Sequence, residues 1–67
     1  MVKIGKRLKE IREQALLTQQ ELADDAGLQF ATISRIENDH VDPHFSTIKK
    51  LAKALGIDPS QLVKEER

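Results

Sequence analysis

The chain contains no cysteine, no tryptophan and no tyrosine, and it has only two phenylalanines. Without cysteine there are no disulfide staples and no thiolate metal ligands. With so few aromatic rings, the core must be mostly aliphatic. No apolar run approaches membrane-spanning length and no signal peptide is visible, so a cytoplasmic protein without a membrane partner is the expectation. Strand signals, internal repeats and low-complexity stretches are also missing. No nucleophile, histidine and acid arrangement appears, nor a phosphate loop or a metal-ligand set, so an enzyme and a bound cofactor are not expected. His40 and His44 are four residues apart but straddle a proline-containing loop rather than sharing a helix face, which disfavours a metal site. Finally, the formal net charge is zero, which by itself points neither to nucleic acid nor to a membrane.

What is present fits one small domain spanning residues 1–67. A core of this size rarely supplies more than roughly 3–5 kcal/mol, so stability rests on helix packing or on a partner. The charge is unevenly spread. Residues 1–17 carry +3, from Lys3, Lys6, Arg7, Lys9 and Arg12 against Glu10 and Glu13. Residues 18–42 carry −5, with Arg35 opposing Glu21, Asp24, Asp25, Glu37, Asp39 and Asp42. Residues 43–67 carry +2.

The periodicity predicts five helices. The first runs from about Ile4 to Ala15, with Ile4, Leu8, Ile11 and Ala15 on one face. On its other side, Lys6–Glu10 and Lys9–Glu13 have the spacing of weak ion pairs. Thr18 and Glu21 form a capping box for the second helix, which Gly27 ends in left-handed geometry. Small Ala23 and Ala26 allow the next helix to approach closely. Leu28 or Gln29 leads into a third helix, with Ile33 and Ile36 inward. It ends near Asn38, a residue that tolerates left-handed geometry. Asp39 to His44 reads as a loop around Asp42-Pro43. A fourth helix spans about Phe45 to Leu55, with Ile48, Leu51, Ala52 and Leu55 inward and Gly56 as its stop. Asp58-Pro59-Ser60-Gln61 then has the cap, proline and glutamine of a short fifth helix. Leu62 and Val63 either close the core or lie on a dimer surface. Residues 64–67 read as a frayed tail.

Thr18 to Asn38 is therefore a capped helix, a glycine turn and a second short helix. That geometry can push one helix into the major groove of DNA. The same spacing also occurs in proteins that bind no DNA.

The residues themselves narrow the choice. Ile4-Gly5-Lys6-Arg7-Leu8-Lys9, Leu17-Thr18-Gln19-Gln20-Glu21-Leu22-Ala23, Thr32-Ile33-Ser34-Arg35-Ile36-Glu37-Asn38 and Leu51-Ala52-Lys53-Ala54-Leu55-Gly56 stand together in this chain. In this it resembles the Cro/phage-repressor type of helix-turn-helix, the xenobiotic-response-element (XRE) family. The resemblance covers nearly the whole chain. It implies an all-α, compact five-helix, lambda-repressor-like DNA-binding domain, and a transcriptional regulator occupying an operator on double-stranded DNA. It implies that the third helix is the recognition helix, with Gln29, Phe30, Ala31 and Arg35 reaching base edges. Thr32, Ser34 and Gln19 fall at phosphate-contacting positions, and Asn38 matches a loop position whose backbone approaches the DNA backbone. Thr18 is first a cap, though its hydroxyl suits a phosphate as well. A helix start such as that at Gln19 favours an anion through its free N–H groups and dipole. Arg12 and Glu37 match charged positions that pair across the domain and brace the motif.

The chain departs from the family pattern at several places. Phe30 stands where a polar residue is usual; it can pack on a thymine methyl, contact a protein or fold back. Asp24 and Asp25 stand where lysine is common. Asp39-His40-Val41-Asp42 replaces a loop that is often basic. These acids lower phosphate attraction and so non-specific affinity. Leu16 stands where glycine or asparagine is frequent; it is strained if left-handed, and otherwise extends the first helix or supplies an exposed apolar contact. One domain reads one half-site, so a homodimer on a palindromic operator follows, with half-sites about 34–36 Å apart. A protein-interaction module of the same fold is the competing reading, favoured by the acidic stretch and Phe30.

Overall fold

The computed structural model describes residues 3–63. It contains four α-helices: α1 (Gly5–Gln14), α2 (Gln19–Ala26), α3 (Phe30–Glu37) and α4 (Phe45–Leu55). The fifth expected helix is instead a single 3-10 turn, Pro59–Gln61. Asp58 caps it by accepting the Ser60 N–H at 2.9 Å. The backbone bonds here reach back three residues, Gln61 N–H to the Asp58 carbonyl and Leu62 N–H to that of Pro59. This short turn brings Leu62 directly into the core, where it is fully buried. The five-helix expectation is thereby corrected to four helices and a turn. The expected tail at residues 64–67 lies outside the described residues.

The helices pack as α2 on α3, α4 on α2, α1 on α3, and the turn on α4. Their inward faces are aliphatic: Ile4, Leu8 and Ile11; Leu22 and Ala23; Ile33 and Ile36; Ile48, Leu51 and Ala52; and Leu62. One inward expectation is corrected: Ala15 is exposed, because α1 has already ended at Gln14. Leu55 and Val63 are half-buried and pack against the core as expected. Leu62 is a core residue, which removes it from any dimer surface.

Every α-helix ends the same way. A residue in left-handed conformation follows the last turn: Leu16 (φ 59°), Gly27 (φ 69°), Asp39 (φ 57°) and Gly56 (φ 69°). Its N–H bonds three carbonyls back, and the next N–H bonds five back. The pairs are Leu16–Glu13 with Leu17–Arg12, Gly27–Asp24 with Leu28–Ala23, Asp39–Ile36 with His40–Arg35, and Gly56–Lys53 with Ile57–Ala52. This is the paired-bond stop that satisfies orphan carbonyls at a helix end. It places the third reversal at Asp39, not at Asn38, which keeps negative φ.

The beginning of α1 differs. Ile4 makes no side-chain cap. The Gly5 N–H is instead accepted by the Asp39 carboxylate at 3.3 Å, across 34 positions of sequence. A Cβ on Gly5 would lie 2.5 Å from the Ile36 carbonyl oxygen and 2.7 Å from that of Glu37. The contact between α1 and the end of α3 thus requires glycine. Arg7 closes the opposite side, donating from Nε to the Gln61 carbonyl at 3.1 Å. Neither Lys6–Glu10 nor Lys9–Glu13 closes to ion-pair distance; among the described residues the ion pair formed is Arg12–Glu37.

Leu16 is left-handed and 89% exposed, so its side chain gains no burial in return for the strain. The helix-extending alternative is excluded. Leu16→Gly removes a penalty of roughly 1–2 kcal/mol, partly offset by the greater freedom of glycine in the unfolded chain. The expected net gain is about 1 kcal/mol, or about 4–8 °C in melting temperature. A melting temperature at or below that of the parent contradicts it.

Candidate nucleic-acid interface

The helix-turn-helix geometry starts at the first turn of α2. The Thr18 hydroxyl accepts the Glu21 N–H at 3.0 Å, and the Glu21 carboxylate accepts the Thr18 N–H at 2.9 Å. This reciprocal pair satisfies two of the four donors that a helix start leaves open. The N–H groups of Gln19 and Gln20 remain. They point out of the helix start, where the dipole favours negative charge.

Gly27 then turns the chain, and Gln29 caps α3 through its backbone alone, with no side-chain cap bond. Its amide is left available. Ile33 and Ile36 anchor the inner face of α3. Gln29, Phe30, Ala31 and Arg35 are exposed, and Thr32 and Ser34 are half-buried at the edges. The four residues expected at base edges are thus each open to solvent, Gln29 at the cap and the other three within α3. Phe30 keeps 47% of its surface, so it does not fold back into the core.

The loop after α3 is more constrained than its sequence suggests. The N–H groups of Asn38, Asp39 and His40 all bond carbonyls of α3. Asn38 is exposed, and its N–H is bonded to the Ser34 carbonyl at 3.1 Å. The Asp39 carboxylate is engaged at Gly5. Sequence reasoning read Asp39 only as a repulsive loop charge. The partner that defines its role is too distant in the chain to signal it.

Arg12 and Glu37 form the brace expected of them. Arg12 Nε donates to Glu37 Oε2 at 2.6 Å and Nη2 to Oε1 at 3.0 Å. Nη1 donates to the Leu17 carbonyl at 2.8 Å. The two side chains are only 10% and 3% exposed. The hydrogen bond to Glu37 holds the Arg12 guanidinium above its ordinary pKa, despite the opposing effect of burial; the charges of Glu37 and Glu13 add to the rise. Arg12 is therefore charged throughout the physiological range. A partner not foreseen also joins: Gln19 Nε2 donates to Glu37 Oε1 at 3.0 Å.

Asp24 and Asp25 lie at the far end of α2, where they oppose the helix dipole. They line a shallow groove with Lys50 and Lys53 of α4. Acidic and basic residues thus line the same groove, without closing to ion-pair distance. Among the described residues no group of three histidine, aspartate or glutamate side chains is placed to hold a metal ion. No helix described is long and apolar enough to cross a membrane.

Arg12→Ala leaves Glu37 buried without its counter-charge. The expected loss is about 3–5 kcal/mol, comparable to the whole stability of so small a domain. Thermal or denaturant unfolding measures it, and a midpoint equal to the parent's contradicts it. Replacing both residues with methionine is expected to recover most of the loss.

Known proteins share this fold. The chain is 46% identical over 61 residues to the HTH-type transcriptional regulator PuuR of Escherichia coli, covering 91% of this chain and 33% of PuuR. The curated relatives that it matches are longer: the chain spans between about a third and about half of their lengths. The structure superposes on the restriction-modification controller protein C.AhdI from Aeromonas hydrophila with a TM-score of 0.87 and 38% identity, covering 91% of this chain and 92% of that one. It superposes on the P22 c2 repressor, solved with a synthetic operator, with a TM-score of 0.85 and 26% identity, covering 98% and 100%. Residues 8–62 match the helix-turn-helix family HTH_3, and with these relatives on either side the chain belongs to that family, the Cro and phage-repressor type of helix-turn-helix protein.

Proposed function

We infer that residues 1–67 act as a single sequence-specific DNA-binding domain of a transcriptional regulator, laying α3 in the major groove of an operator. The observation that carries the reading is the exposure of Gln29 at the cap of α3 and of Phe30, Ala31 and Arg35 within it, together with the open first turn of α2. Arginine pairs bidentately with guanine, glutamine with adenine, and an apolar side chain with the thymine methyl. Gln29, Arg35 and Phe30 supply those three chemistries. Thr18, Gln19, Thr32, Ser34 and Asn38 surround that surface as phosphate contacts, which fix register without reading sequence. The relatives support the same reading, since PuuR is a transcriptional regulator and the P22 c2 repressor was solved on an operator.

The domain reads one half-site, and a homodimer on a palindrome reads two, about 34–36 Å apart. Such a regulator works where the chromosome is accessible, which in a bacterial cell is the cytoplasm. The alternative, a protein-interaction module, draws on two exposed apolar residues remote from α3 in sequence, Leu16 and Phe45 (75% exposed).

Selection of random duplex DNA with the purified domain is expected to enrich a palindrome. Affinity for the winner is expected to fall steeply with salt, because phosphate contacts release counterions. Arg35→Ala is expected to cost about 1–3 kcal/mol at one base position and to relax the preference there. No enrichment even at low salt, with wild type and Arg35→Ala alike, supports the interaction module instead.

A further inference from the structure

The buried carboxylate of Glu37 accepts from Arg12 and, through the same Oε1 oxygen, from the side chain of Gln19. Gln19 is the first residue of α2, beside the two open N–H groups of the helix start. A glutamine amide has two N–H donors and one carbonyl. One N–H is held by Glu37, and the second makes no other hydrogen bond within the described residues. We propose that Glu37 is a positioning residue for backbone recognition: it holds the Gln19 amide in place before DNA arrives, so that a phosphate meets an ordered side-chain donor together with the open backbone donors of α2.

The proposal rests on the DNA-binding reading above and adds a mechanism to it. A free glutamine must be immobilised on binding, and that ordering subtracts from affinity. Here the ordering is done within the fold. A lone carboxylate close to a phosphate would repel it. Arg12 cancels that charge through two bonds of 2.6 and 3.0 Å. The ion pair therefore does more than join α1 to α3. It lets a negative group orient a phosphate ligand without opposing the phosphate.

The test compares four chains on the selected duplex: wild type, Gln19→Ala, the exchange Arg12→Met with Glu37→Met, and the exchange combined with Gln19→Ala. Helical circular dichroism establishes which of them fold. The expected result is about three- to tenfold weaker binding for Gln19→Ala and for the exchange, with base preference unchanged. Adding Gln19→Ala to the exchange is then expected to weaken binding much less than it does in wild type. An exchange variant that binds like wild type, or a Gln19→Ala penalty of equal size in both backgrounds, overturns the proposal. A second measurement needs no substitution. In DNA-free wild type, 15N relaxation of the Gln19 side-chain amide is expected to match the helix backbone; mobility equal to that of exposed Gln14 overturns the proposal even if the exchange variant fails to fold. If wild type selects no duplex, the DNA-binding reading itself falls. If it selects one and the penalties add, only the positioning role falls.

Discussion

The structure depends on one buried carboxylate. Glu37 sits at the last position of α3 and gathers Arg12 from α1 and Gln19 from α2. Through Arg12 it also reaches the Leu17 carbonyl in the connection between α1 and α2. Three helices and one turn meet at this point. Burying two charges is costly, and only good geometry with satisfied remaining donors makes it tolerable. Those conditions are met: the guanidinium makes three hydrogen bonds, and no buried side-chain polar atom among the described residues lacks a partner. The aliphatic core supplies the bulk attraction, but it is non-directional. The directional network fixes how α2 and α3 sit against α1, and with it the surface that α3 presents.

The placement of charge bears on the polyanionic ligand proposed for this acidic motif. Asp39 is committed to the start of α1, and Glu37 is neutralised by Arg12. Glu21 is part of the capping box. Asp24 and Asp25 share their groove with Lys50 and Lys53. Counting Arg12 with its partner Glu37 brings the segment from −5 to −4; the bonded carboxylates of Glu21 and Asp39 keep their charge but are fixed in place. Sequence position told which charges are present, whereas tertiary placement decides which of them a ligand meets.

Legibility in the sequence followed the range of the interaction. The capping box at Thr18 and Glu21, the stop at Gly27 and the inward Ile33 and Ile36 are local, and all stood where spacing put them. Arg12 and Glu37 are 25 residues apart, and only resemblance to relatives paired them. The bonds of Gln19 to Glu37 and of Gly5 to Asp39 left no local trace. Helix ends were legible to within a residue: Asn38 was expected to reverse the chain and Asp39 does so, since the paired bonds leave the reversal one step further on. The fifth helix was misread because a capping aspartate followed by proline starts a 3-10 turn as readily as an α-helix. Length decides between them, and Leu62 enters the core too soon to allow another turn.

The uneven treatment of helix ends carries a consequence for assembly. α2 carries both its starting cap and its stop within a few residues of itself, so much of its outline is specified before any partner docks. α1 has a local stop, but its first N–H waits for a carboxylate 34 residues away, at the reversal that ends α3. The amino-terminal turn of α1 is thus completed by docking rather than by its own sequence. Loss of order at the end of α3 and loss of order at the start of α1 become one event, and the surface proposed to read DNA lies on the helix through which the two are joined.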